Sequence, residues 1–191
     1  MRTSRYVSAN VTTPILPARS DIRTYRGSMT SWREFTRLAP TVAEVFTRRH
    51  ADTRNLCFLS TLRRSGAPRI SPMEPRLFEG RLIVGGMPGT TKLSDLARDP
   101  RFELHTATTD THLTRGDAKV WGTVHDEQDL ELHARFAEHL YATIGFDLRG
   151  RRFAPFYVAD VEGASAVRLE DGHMIVTVWS PTAGEREIQK T

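Results

Sequence analysis

The sequence predicts a mainly β domain with flanking helices, in which short strands meander into a small closed barrel. Three observations carry this expectation. From Asn55 onward the apolar residues fall into short runs divided by turn residues. Only one later segment sustains a helical stripe, through Leu132, Phe136, Leu140 and Ile144. The chain has 191 residues, enough to bury one core without disulfides or a structural metal.

Residues 1–28 are polar, carry Pro14 and Pro17 and lack sustained periodicity, so they read as a flexible N-terminal extension to a domain over 29–191. Met29 offers an alternative start. Ser31 is placed to cap a helix with Trp32, Phe35 and Leu38 on its apolar side. Pro40 opens a second helix that buries Val42, Val45 and Phe46. Leu56–Leu62 reads as a buried strand, turned by Arg63-Arg64-Ser65-Gly66. Arg69–Phe78 reads as a second strand with Pro72 and Pro75 at an edge or bulge. Glu79-Gly80 leads into a third strand, Leu82–Gly86. A loop then feeds a short helix, Lys92–Arg98, which Asp99-Pro100 ends. Phe102–Ala107 and Ala118–His125 are further strands, and Asp126, Glu127 and Asp129 favour the start of the long helix. Phe156–Leu169 and Met174–Trp179 form the last strands, joined at Glu170-Asp171-Gly172.

Composition excludes several classes of function. The net charge is 27 − 23 = +4, and the arginine clusters at 48–49, 63–64 and 149–152 are short and scattered. They suit solvated turns better than a nucleic-acid surface. Cys57 is the single cysteine, set in an apolar run, so it has no intramolecular disulfide partner and reads as a small core residue. No apolar stretch approaches a membrane span, and no leader pattern opens the chain. A cytoplasmic protein without membrane association is expected. No two of the seven histidines form an i, i+4 pair, and no Cys/His cluster exists, so no metal site is expected. No nucleophile elbow, P-loop or dinucleotide fingerprint is present, and no catalytic residue is nominated.

One segment suggests an anion site. Gly85-Gly86-Met87-Pro88-Gly89 precedes Thr90, Thr91 and Lys92 at a helix start. Backbone N–H groups, hydroxyls and one ammonium converge there, helped by the helix dipole. The same residues would equally serve as a capped helix after a strand, with Lys92 in solvent.

The order Leu59-Ser-Thr-Leu62, Gly66-x-Pro68-Arg69-x-Ser71-Pro72, Gly80-x-Leu82, Gly89-Thr-Thr-Lys92-x-x-Asp95-Leu96 and Arg98-Asp-Pro-Arg101 resembles the pyridoxamine 5′-phosphate oxidase-like superfamily. The resemblance spans about Asn55 to His125. It implies an FMN-binding split β-barrel that forms a homodimer, with the cofactor in a groove between two subunits. It further implies that Arg69 and Lys92 meet the cofactor phosphate and that Thr90 and Thr91 lie against it. Ile70 and Ser71 fall where strand backbone passes the isoalloxazine ring. The substrate-phosphate lysine of true pyridoxamine phosphate oxidases is replaced here by Glu74, and a carboxylate would repel a phosphorylated substrate. The carboxy-terminal pattern of that enzyme is also not evident in 179–191.

The resulting expectation is a flavin-dependent oxidoreductase passing hydride through bound FMN to or from a small substrate, though not a true pyridoxamine-phosphate oxidase. A deazaflavin-dependent reductase using coenzyme F-420 is the alternative within the fold. A flavin- or haem-binding sensor module is the alternative outside catalysis.

Overall fold

Ser31 opens the first helix as expected: its Oγ accepts from the N–H of Glu34 at 3.3 Å, and Trp32 and Phe35 turn into the core. The structure, a computed structural model, describes residues 29–110, 112–113 and 115–190; the extension expected over 1–28 lies outside the described residues. Helix α1 spans Trp32–Leu38, and α2 follows as Pro40–Asp52. Leu38, expected on the buried side, is exposed; the neighbouring Ala39 takes the inward position. Ala39 has no side-chain acceptor to cap α2. The carboxylate of Glu185 does so instead, accepting from Val42 N at 2.8 Å and Thr41 N at 3.3 Å.

The strands are β1 Cys57–Leu62, β2 Pro68–Met73, β3 Arg76–Phe78, β4 Arg81–Val84, β5 Arg101–Thr106 and β6 Asp117–Asp126. Helix α3, Thr91–Arg98, lies between β4 and β5, and α4, Leu130–Ile144, follows β6. Strands β7 Tyr157–Glu170, β8 His173–Ser180 and β9 Gly184–Lys190 complete the described chain. The second strand expected over Arg69–Phe78 is two strands, because Glu74-Pro75 interrupts the ladder; Pro75 has no N–H to donate. Gly85 and Gly86 belong to the loop after β4, and Thr91 belongs to α3. β9 was not expected: its one apolar residue, Ile188, gives a strand at the sheet edge no hydrophobic alternation to read.

All pairings are antiparallel, in the order β2-β1-β5-β6-β7-β4-β3, with β8 and β9 added beside β7. β7 is the divide: its first residues, Tyr157 to Ala159, pair with β4, and Ala164 to Glu170 pair with β8. β2 and β3 stand at opposite ends of the order yet are joined by two residues. The sheet must therefore curl until its ends meet, and the β2–β3 seam is not among its paired ladders. A bulge between Trp121 and Gly122 aids the curl. Side chains are excluded on both sides of it: a Cβ on Gly122 would overlap the Asp160 carbonyl, and one on Gly163 would overlap the Trp121 ring.

Two cores share the thin middle of the sheet. Leu82, Val84, Ala159 and Val161 face α1 and α2, together with Phe35, Phe46 and Trp179. Ile83 and Val158 face the opposite way, onto Leu132, Phe136, Leu140 and Phe156 under α4. β4 is thus buried on both sides, which explains its unbroken run Leu82-Ile83-Val84.

Arg49 of α2 is 2 % exposed and reaches the loop before β6. Its Nε lies 3.1 Å from Asp117 Oδ1 and donates to Gly116 O at 2.9 Å, and a further N–H donates to Thr109 Oγ1. Replacing Asp117 by Ala removes the nearer counter-charge of that buried guanidinium and leaves it only Asp110, at 3.9 Å. The expected loss is about 3–5 kcal/mol of stability in chemical denaturation; a loss below about 1 kcal/mol would show that the pair is not held as described.

Candidate functional site

Helix α3 is fastened to the β1–β2 hairpin along its whole length. Leu93 and Leu96 enter the core, and Asp95, also buried, points at the sheet. Its carboxylate accepts from Arg69 Nε at 2.6 Å, from Thr61 Oγ1 at 3.1 Å and from Arg98 at 3.2 Å. The Arg69 guanidinium, chiefly, holds the Asp95 carboxyl below the usual range against the opposing effect of burial. Arg98 also donates to Leu62 O at the end of β1. At the other end of the helix, Lys92 Nζ donates to Pro72 O of β2 at 3.0 Å.

This docking aims the start of α3 at the seam of the barrel. Thr90 is the N-cap residue, but its side chain caps nothing, and its Oγ1 is buried without a hydrogen-bond partner among the described residues. The first-turn N–H groups are correspondingly free of a side-chain acceptor. Burial lowers the pKa of Lys92, whose ammonium has only a carbonyl as its partner among the described residues. An uncapped helix start, an orphaned hydroxyl and a half-buried cation together fit an anionic group.

A cavity of about 650 Å³ opens beside that turn. One wall is the seam itself: Pro72, Met73, Glu74 and Arg76. A second is the Gly85–Pro88 loop with Lys92, and the third is α4 with the segment 146–156. Glu74 and Arg76 are paired at 3.0 Å, so the repulsion expected of Glu74 toward an anion is answered within the protein. His50, buried beneath, fixes the interruption between β2 and β3 by donating from Nε2 to Pro75 O at 2.9 Å.

Of the residues expected at the site, Thr90, Thr91 and Lys92 converge on the start of α3, and Lys92 lines the cavity. Arg69 and Ser71 lie on the inward side of β2, Arg69 engaged with Asp95. Ile70 points outward and is 72 % exposed. The sequence reading missed the third wall. Phe146, Leu148, Arg151, Arg152 and Phe153 lie in an irregular segment without periodicity; the left-handed Gly145 that ends α4 was its one local signal. It also missed Asp95 as the partner of Arg69.

A second polar pair lies off the cavity. His125 Nδ1 donates to Asp160 Oδ2 at 3.0 Å across β6 and β7. Among the described residues no group of three or more His, Cys, Asp or Glu is arranged to hold a metal ion, and no helix is long and apolar enough to cross a membrane.

The curled sheet with an uncapped helix start at its seam is a split barrel, and the chain has the fold of the pyridoxamine 5′-phosphate oxidase-like proteins. Similar solved structures include PhzG from Burkholderia lata in complex with tetrahydrophenazine-1-carboxylic acid, with a TM-score of 0.56 and 14% identity over 80% of this chain and 92% of that one. A pyridoxamine 5′-phosphate oxidase-related, FMN-binding protein from Nostoc punctiforme matches with a TM-score of 0.54 and 12% identity, over 86% and 98%. A heme-binding protein from Mycobacterium smegmatis matches at 0.52 and 20% identity; 81% of this chain is covered, but only 56% of that longer chain. Neither a family model nor a curated protein matches the sequence.

The two histidines separate by pH. Asp160 raises the pKa of His125 above its usual 6.5, so the stability this pair contributes is full below 6.5 and is lost as pH rises through the folded value. Burial lowers the pKa of His50, so its charging favours the unfolded chain and stability falls as pH drops below 6.5. Urea denaturation across pH 5–9 (a range of roughly two units either side of neutrality) should show both declines. His125→Gln should abolish only the alkaline one; a wild-type profile flat above 6.5 would contradict the assignment.

Proposed function

We propose that the protein is a flavin-dependent oxidoreductase that binds FMN at the start of α3 and acts on a small substrate in the adjoining cavity. The observation that carries this is the start of α3: Thr90 Oγ1 without a partner among the described residues, the first-turn N–H groups uncapped and Lys92 half-buried at the mouth of a cavity, on a split-barrel scaffold. The residues present fit a phosphate-bearing cofactor. Thr90, Thr91, Lys92 and the first-turn N–H groups would hold its phosphate. Arg69 would add positive charge from β2, since Asp95 takes only its Nε among the described hydrogen bonds. The backbone of Ile70 and Ser71 would pass the ring system. When bound, the flavin supplies the hydride chemistry, and the chain supplies binding, orientation and exclusion of water.

A homodimer belongs to the same reading. Phe58, Ile70 and Trp121 share the outward side of β2, β1, β5 and β6, a register that follows from Ser60 facing Ile70 and Glu103 facing Trp121. All three are exposed, on the side of the sheet away from the α1–α2 core. A two-fold contact there would bury them and bring Ile70 and Ser71 to a groove between subunits. Ile70→Asp should shift the protein to monomers in analytical ultracentrifugation; an unchanged dimer would remove this face from the interface.

Reconstitution tests the cofactor. FMN added to the purified protein should bind with quenched fluorescence and a flavin absorbance spectrum, distinct from deazaflavin and haem. Lys92→Ala should weaken FMN binding about ten- to hundredfold, as loss of one charge-assisted contact of roughly 1.5–3 kcal/mol requires. Arg69→Ala and Thr90→Val should weaken it less, because Arg69 is shared with Asp95 and Thr90 is neutral. Wild-type affinity in all three variants would remove the phosphate assignment.

A further inference from the structure

The cavity has two ends of different chemistry. Near Lys92 it adjoins the start of α3. At the far end, Phe136, Phe153 and Phe156 form a triangle with ring centroids 5.2–5.5 Å apart, at the floor under α4. Ile144 and Phe146, both more than half exposed, carry the apolar lining out to the mouth. Exposed apolar residues gathered around one concave site mark a place where an apolar body is taken from water.

Charge over this apolar chamber is one-sided. Lys92, Arg76, Arg151 and Arg152 line the cavity, against the single carboxylate of Glu74. Glu74 is spent on Arg76, and Arg152 donates to Gln128 Oε1 at 2.6 Å. Arg151 makes no side-chain hydrogen bond among the described residues. Its guanidinium therefore offers its whole donor fork, a shape that matches a planar carboxylate bidentately.

We propose that this chamber is the substrate site and that it takes a ring-bearing organic anion, of which an aromatic carboxylate is the simplest member. The ring packs on Phe146 and Phe153, and the carboxylate meets Arg151 and Arg152 at the mouth. The inference rests on the flavin reading for calling the occupant a substrate, and not for its binding. A neutral ring would lose the arginine contacts, and a small aliphatic acid would leave Phe146 in water.

The test uses 1-naphthoate and the neutral 1-naphthylmethanol as probes, titrated by calorimetry into the full-length protein with and without FMN. Naphthoate should bind at least about tenfold more tightly than the alcohol, and should still bind when FMN is present. Arg151→Gln/Arg152→Gln should raise its dissociation constant about tenfold or more, and Phe146→Ser should weaken naphthoate and alcohol alike. Equal affinity for the two probes, indifference to the double substitution, or displacement of naphthoate by FMN one for one would overturn the proposal. Should naphthoate behave as expected while FMN fails to bind, the flavin reading falls and the anion chamber stands.

Discussion

A single buried carboxylate, that of Asp95, fixes where helix α3 sits and which way its first turn points. It accepts from Arg69 on β2, from Thr61 on β1 and from Arg98 on its own helix, so three separate segments converge on one group. A carboxylate this deep is tolerated because its charge is matched and its oxygens are satisfied. Two arginines against one acid leave positive charge over. That surplus sits one helical turn from Lys92, where an anion would benefit. Hydrophobic contact through Leu93 and Leu96 alone would let α3 rotate; the ionic junction sets the direction in which its first turn points.

The second constraint is topological. β2 and β3 are chain neighbours held at opposite ends of one sheet, and only a curled sheet satisfies both facts. The glycines at 122 and 163 permit the curl by letting β6 and β7 approach where a Cβ would collide. His50 pins the two-residue crossing from below, and Arg49, beside it on α2, pins the loop before β6. Neighbouring residues of a single helix thereby hold both the seam that forms the cavity wall and the central strand of the sheet. The cavity is what remains where the seam lacks a ladder.

The starts of α1 and α4 were legible because their caps are local: Ser31 and Asp129 lie within three residues of the N–H groups they accept from. Strands with alternating or continuous apolar residues were legible for the same reason, since periodicity reports the number of covered faces. β9 escaped because it is nearly all polar, and its partner is chosen by β8 rather than by its own pattern. The Arg69–Phe78 run was overextended because a proline tolerated at a bulge and a proline that ends a ladder look alike in sequence. Which one Pro75 is depends on His50, 25 residues earlier.

By itself the sequence determined the class of fold, the helices from α1 to α4 and most of the strands, because each rests on residues adjacent in the chain. Tertiary structure alone decided that Arg69 is committed to Asp95 and that Arg151 lines a chamber floored by Phe153. Those facts depend on how an ionic or polar group is partnered once water is removed. Charge can be counted from a sequence, but its partner is set by which distant segments the core brings within about 4 Å.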